Sequence, residues 1–272
     1  MNARLLLIDP QNDFCDIPGA ALPVSGADAD MKRLAAFMRE AGAAINDLTI
    51  TLDSHASVGI ERVTFWQDAN GAAVAPFTQI VADEVRRQRY RPRDAALISQ
   101  VTTYLDALES GGRYRLMVWP VHCVVGTWGH NVHAEVAAQI AEWELRQQRA
   151  CLRILKGLNP MTEQYSAVQA EVPIFSDPFT HPNRALIDAA RPADGLLLVA
   201  GEAASHCVAA TMRHLLDTMT PAERASVVLI KDCMSAVTGF DAQANQFFAD
   251  AAAQGVRVLT SAQTLAEVAR PH

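Results

Sequence analysis

Gly195–Ala200 reads GLLLVA, six residues without one polar side chain, and it runs straight into GEAASHCVAAT at Gly201–Thr211. An unbroken apolar run, rather than alternation, suits a parallel strand covered on both faces. Five further runs share this character: Arg4–Ile8 (RLLLI), Leu48–Leu52 (LTITL), Leu152–Leu155 (LRIL), Ser226–Ile230 (SVVLI) and Val256–Leu259 (VRVL). Helical patterns lie between them at Ala27–Ala44, Asn131–Gln148, Cys207–Leu216, Asp241–Ala253 and Ala262–Ala269. Gly255 falls where a helix C-cap is expected, just before the last run. Strand and helix alternate, which predicts an α/β fold: a doubly wound, mostly parallel sheet with helices on both faces.

Composition narrows the function. The chain has 272 residues, half of them apolar and 19% charged, enough for a large core and too apolar for disorder. Its 23 basic and 30 acidic side chains leave a formal charge of −7, and the pI is near 5.6. No basic footprint for nucleic acid is present. No apolar run approaches the roughly 18 residues of a membrane span. The start, MNARLLLIDPQNDF, does not read as a signal peptide. Five cysteines without framework spacing read as reduced thiols in a cytoplasmic enzyme, one of them a candidate nucleophile. The interval Ile60–Leu116 breaks the rhythm with an Asn70-Gly71 turn, an Arg-rich stretch (Val85–Arg93) and a predicted helix over Asp94–Ser110. It is read as an elaboration, lacking strands of its own, on a single domain spanning residues 1–272.

In an open α/β sheet, ligands bind beyond the carboxyl ends of the strands. The polar residues there are Asp9 after the first run, Asp53 and His55 after the second, Lys156 after the third, Glu202–Cys207 after the fourth, and Asp232 and Cys233 after the fifth. Cys207 opens a helix, and both that position and a neighbouring lysine favour a thiolate. An aspartate beside it can take the thiol proton and return it to a leaving amine. Asp53 and His55 form a D-x-H pair, and His122 in WPVHC is a third ligand from a distance. Such a set with open positions suits Zn²⁺, Fe²⁺ or Mn²⁺. His130 and His133 are read as surface or subunit-contact residues, and Cys123 and Cys233 as packing.

The segments IDPQNDFC (Ile8–Cys15), LDSH (Leu52–His55), WPVHCVVGTWG (Trp119–Gly129), KGLNPMTEQYSA (Lys156–Ala167) and GEAASHCVAAT occur in the order seen in nicotinamidases. The chain thus resembles the isochorismatase-like cysteine hydrolases, and WPVHC…TWG resembles their nicotinamidase branch. The resemblance implies a six-stranded sheet and a triad of Cys207 as nucleophile, Asp9 as proton shuttle and Lys156 as electrostatic partner. It also implies a divalent metal on Asp53, His55 and His122, and an aromatic slot of Phe14 and Trp119. Backbone N–H groups of Ala203 and Cys207 would form an oxyanion hole beside a cis Glu202–Ala203 bond. The implied partner is a small aromatic amide; N-carbamoyl amines, other cyclic or aliphatic amides and a silent binding role are alternatives. A homo-oligomer is expected. The chain departs from the pattern at Ser54, where nicotinamidases carry Trp, and at Glu61 or Arg62, near where many place a second histidine. Glu202 and His206 are expected to reshape the pocket.

Overall fold

The structure, a computed structural model, describes residues 2–192 and 195–269. Its strands are β1 (Ala3–Ile8), β2 (Ile45–Asp53), β3 (Trp66–Asp68), β4 (Thr78–Ile80), β5 (Tyr90–Pro92), β6 (Leu116–Val118), β7 (Leu152–Lys156), β8 (Leu196–Gly201), β9 (Val227–Ile230) and β10 (Arg257–Leu259). The helices are α1 (Ala27–Ala41), α2 (Ala82–Arg86), α3 (Ile98–Ser110), α4 (Ala134–Gln147), α5 (Arg184–Ala189), α6 (Cys207–Asp217), α7 (Pro221–Ala225), α8 (Asp241–Ala253) and α9 (Ser261–Val268). Six strands form one sheet in the order β10-β9-β8-β1-β2-β7, and all its pairings are parallel. The doubly wound α/β expectation holds.

The apolar runs are continuous because successive side chains point to opposite faces and both faces are covered. Leu5, Leu7, Leu198, Val228 and Ile230 pack with residues of α1, α4 and α9. Leu6, Ile8, Leu197, Val199, Val227 and Leu229 pack with residues of α5, α6 and α8 on the other face. Each buried leucine contributes roughly 1.5–3 kcal/mol relative to exposure. The run at Leu152–Leu155 differs. As β7 it forms the sheet edge, and Leu155 is 46% exposed.

The interval after Ile60 corrects one expectation, since it carries strands of its own. β3 pairs with β5 and β4 with β6, both antiparallel, over a cluster that includes Ile60, Trp66, Ile80, Leu105 and Val118. Three-residue strands are too short to show periodicity, which hid them in the sequence. The Arg-rich stretch is a solvated face with ion pairs: Arg87 to Asp83 at 2.9 Å, Arg89 to Glu84 at 3.1 Å, and Arg86 to Asp106. Among the described residues, no helix is long and apolar enough to cross a membrane.

Candidate active site

Parallel strands bring their carboxyl ends to one edge, so β8, β1, β2 and β7, neighbours in the sheet, deliver Gly201, Asp9, Asp53 and Lys156 side by side. Asp9 turns the chain out of β1 in the left-handed region, at φ +45°. Its backbone N–H donates to Thr51 Oγ1 at 3.1 Å, and that hydroxyl donates to Asp9 Oδ1 at 2.5 Å. Oδ2 is left toward Lys156 Nζ, 3.0 Å away. The contact lacks hydrogen-bond direction, which leaves an Oδ2 lone pair able to receive a proton. Lys156 Nζ directs its hydrogen bonds to Asp53 Oδ1 at 2.8 Å, Gln164 O at 3.2 Å and Cys207 Sγ at 3.5 Å. Cys207 is the first residue of α6, as its sequence position indicated.

Burial works against the expected thiolate. Burial pushes the Cys207 thiol well above the ordinary cysteine range; Lys156 pulls it back, but Asp9 and Asp53 add to the rise. Burial also lifts Asp9, against the pull of Lys156. For Lys156 burial works the other way, and Asp53 and Asp9 together outweigh it, so the ammonium keeps its charge.

Asp53 serves a second group through its other oxygen. Oδ2 lies 2.8 Å from His55 Nε2 and 3.2 Å from His122 Nε2, and these three buried side chains form a cluster able to hold a metal ion. One carboxylate and two imidazoles match the donor chemistry of a divalent transition metal. Local structure is cut to fit this cluster. Gly157, at φ +77°, faces the His55 ring, and a Cβ there would sit 2.5 Å from its Cε1. Gly157→Ala is accordingly expected to displace His55 and weaken metal binding about 10- to 100-fold, the usual range for disturbed ligand support. Chelator competition measures this, and an unchanged affinity would refute the packing argument. Glu61 stands behind His55, its Oε1 3.2 Å from Nδ1, and is not part of the cluster.

Phe14, Trp119, Ala203, Cys207, Lys156, Asp53, His55 and His122 all line one cavity. Trp119 is edge-on to His206 with centroids 5.3 Å apart, and Phe14 packs on His122 at 5.4 Å. The Glu202–Ala203 bond is cis. Among the described residues, the N–H groups of Ala203 and Cys207 donate to no carbonyl or side chain. His206 lines the cavity and is held neutral, burial pushing it down to about 4. Glu202 does not line it. Its carboxyl accepts from Ser235 N at 3.1 Å, and burial and Asp30 push it well up. His133 is also not a surface residue; it is buried, with Nε2 3.1 Å from Asp28.

Several contributors escaped the sequence reading. Gln11 grips Asp53, accepting from its N–H at 2.7 Å and donating to its carbonyl at 2.8 Å. Asp13 Oδ2 accepts from Cys123 N at 2.6 Å and so anchors the loop bearing His122. Glu163 lines the cavity, takes a hydrogen bond from Trp119 Nε1 at 3.2 Å, and is pushed up to about 8 by burial and then by Glu61. Gln11 and Asp13 stand within IDPQNDFC, where their spacing signals nothing until the fold brings residues 53 and 123 beside them.

The fold is that of nicotinamidases and isochorismatase-family proteins. The structure aligns with a nicotinamidase/pyrazinamidase of Acinetobacter baumanii at TM-score 0.63 and 20% identity, covering 97% of this chain and 98% of that one. The yeast nicotinamidase gives 0.63 and 19%, over 94% and 99%. The pyrazinamidase of Pyrococcus horikoshii, solved in complex with zinc, gives 0.53 and 16%, over 96% and 99%. No family model and no curated protein matches the chain.

Proposed function

We propose that the protein is a metal-containing cysteine amidohydrolase that releases ammonia from a small aromatic amide of the nicotinamide type. The observation that carries this reading is the place of Lys156 Nζ, 3.0 Å from Asp9 and 3.5 Å from Cys207 Sγ within a buried cavity. Asp9 Oδ2 takes the thiol proton as Sγ bonds to the amide carbon. Charge developing on the amide oxygen meets the free N–H groups of Ala203 and Cys207. The C–N bond then breaks, and Asp9 returns the proton to the departing ammonia. Water attacks the thioester carbon and gives a proton to Asp9. The C–S bond breaks, that proton returns to Sγ, and a carboxylic acid leaves. A divalent ion on Asp53, His55 and His122 would bind the ring nitrogen and orient the amide.

Phe14 and Trp119 offer flat apolar walls, each ring contact being worth roughly 0.5–1.5 kcal/mol, or about 2- to 10-fold. Ammonia release from nicotinamide, pyrazinamide, N-carbamoyl amines and aliphatic amides of similar size tests the reading. Aromatic amides are expected to show specificity constants higher by at least that factor. Equal constants would favour a carbamoyl or aliphatic substrate.

A further inference from the structure

Ser235, in the loop after β9, ties the segment that leads to Cys207 onto α1. Its N–H donates to Glu202 Oε2 at 3.1 Å, its carbonyl accepts from Ala204 N at 2.7 Å, and its hydroxyl donates to Asp30 Oδ2 at 2.5 Å. Gly26, just before α1 at φ +93°, leaves room for that hydroxyl; a Cβ there would sit 3.1 Å from it. Glu202 N donates in turn to the carbonyl of Ile8, the last residue of β1, at 2.8 Å. The fastened stretch is Glu202–Ala204, and Ala203, which supplies an N–H to the proposed oxyanion hole, lies in the middle of it.

Two carboxyl groups meet at this junction. Glu202 is fully buried and Asp30 is 4% exposed, and the two are in hydrogen-bonding contact. Away from water, two carboxyl groups in contact do not both ionise, so the pair holds one proton. The neighbours decide which group carries it. Asp30 accepts from Arg33 Nη2 at 2.7 Å as well as from the Ser235 hydroxyl, donors suited to an anion. Glu202 accepts one N–H, and its buried Oε1 receives no donor among the described residues, which leaves that oxygen free to bear the proton. Asp16, Asp28 and Cys15 stand on the α1 side of the pair, and Asp232 and Cys233 follow β9, with Arg33 as a cation between them. Mainly acidic surroundings of this kind favour a neutral Glu202.

We infer that Glu202 works as a neutral carboxylic acid, a positioning residue that donates a hydrogen bond to the Asp30 carboxylate and so fixes the Glu202–Ala204 segment against α1. The kinetic consequence rests on the hydrolase reading above, because only there does the place of the Ala203 N–H set a rate; the acid pair itself does not. An ionised Glu202 would repel Asp30 and push the segment away from α1. A neutral acid makes two contacts instead, one given to Asp30 and one received from Ser235. Glutamine offers the same two groups, an N–H to give and an oxygen to receive, without a charge. Methionine has similar length and offers neither.

The test compares wild type, Glu202→Gln and Glu202→Met by infrared difference spectra at neutral pH, by hydrogen exchange at the Ala204 amide and by hydrolysis of the preferred amide. The spectrum of wild type minus Glu202→Gln is expected to contain the C=O stretch of a protonated carboxyl, shifted in heavy water. Carboxylate bands in its place would overturn the proposal. Glu202→Gln is expected to stay near wild type in exchange and in kcat. Glu202→Met is expected to speed Ala204 exchange about 10- to 100-fold, the weight of one hydrogen bond to a charged group. Its kcat is expected to fall about 10- to 100-fold with KM moved less, since the Ala203 N–H is displaced and not removed. Unchanged exchange or unchanged kcat in folded Glu202→Met would overturn the positioning role, as would an equal loss in Glu202→Gln. Should Glu202→Met fail to fold, the spectrum and Glu202→Gln decide, and faster Ala204 exchange in Glu202→Gln would overturn the proposal. If the wild type hydrolyses no amide, the proposed function falls, and spectrum and exchange still decide the acid pair. If it hydrolyses amides and the acid band is missing, the acid pair alone falls.

Discussion

Lys156→Met is expected to cost about 3–5 kcal/mol of stability at pH 8, with a clearly smaller deficit at pH 5. Lys156 is 2% exposed and touches Asp53 at 2.8 Å and Asp9 at 3.0 Å. Without it, two buried carboxylates face each other with no cation between them. The side chain's volume is largely kept, so the loss is mainly electrostatic. The sign with pH follows from which state binds protons more tightly. In the variant, folded-state carboxylates titrate above their unfolded value of about 3.9. Their contribution is present below that value and is lost as pH rises through the higher folded one. In the wild type, Asp53 sits well below the ordinary range despite burial, because His55 and Lys156 hold its charge. The wild type therefore keeps this stabilisation at pH 8. Urea unfolding at the two pH values measures it, and equal deficits at both would mean that Lys156 does not neutralise the pair.

Cys207→Ala is expected to lower amide hydrolysis by on the order of 10⁴- to 10⁶-fold, the scale seen when a nucleophile is removed from a cooperating set. The protein should remain folded, because alanine is well suited to a helix. Cys123→Ala is the control. Cys123 is buried on the loop that carries His122, and the Lys156 hydrogen bond goes to Cys207 Sγ instead. Ammonia release by both variants under one set of conditions gives the comparison. Wild-type turnover by Cys207→Ala would remove the thioester route.

The sheet was legible because burial on both faces leaves runs such as RLLLI and GLLLVA without a polar interruption. The ends of those runs then pointed to Asp9, Asp53, Lys156 and Cys207 before any geometry was known. What stayed hidden was of two kinds. Short strands such as β4 and β6 are made by pairing across 40 residues, as in Thr78 with Val118, and carry no local period. Supporting residues such as Gln11 and Asp13 act through backbone groups that only the fold brings near. The burial that opposes a thiolate was hidden for a related reason: the helix start and the lysine are visible in the sequence, whereas the depth at which Cys207 lies is not.

One carboxylate, Asp53, gives its Oδ1 to Lys156 and its Oδ2 to His55 and His122. This sharing limits how a gene for such a chain can drift. A descendant that lost its histidines would strip Asp53 of one set of partners and shift the whole charge onto Lys156, disturbing the thiol at 3.5 Å. A descendant that neutralised Asp53 would forfeit both the candidate metal cluster and the lysine's anchor in a single step. The two halves of the site thus share one carboxylate, and a change to either half is felt by the other.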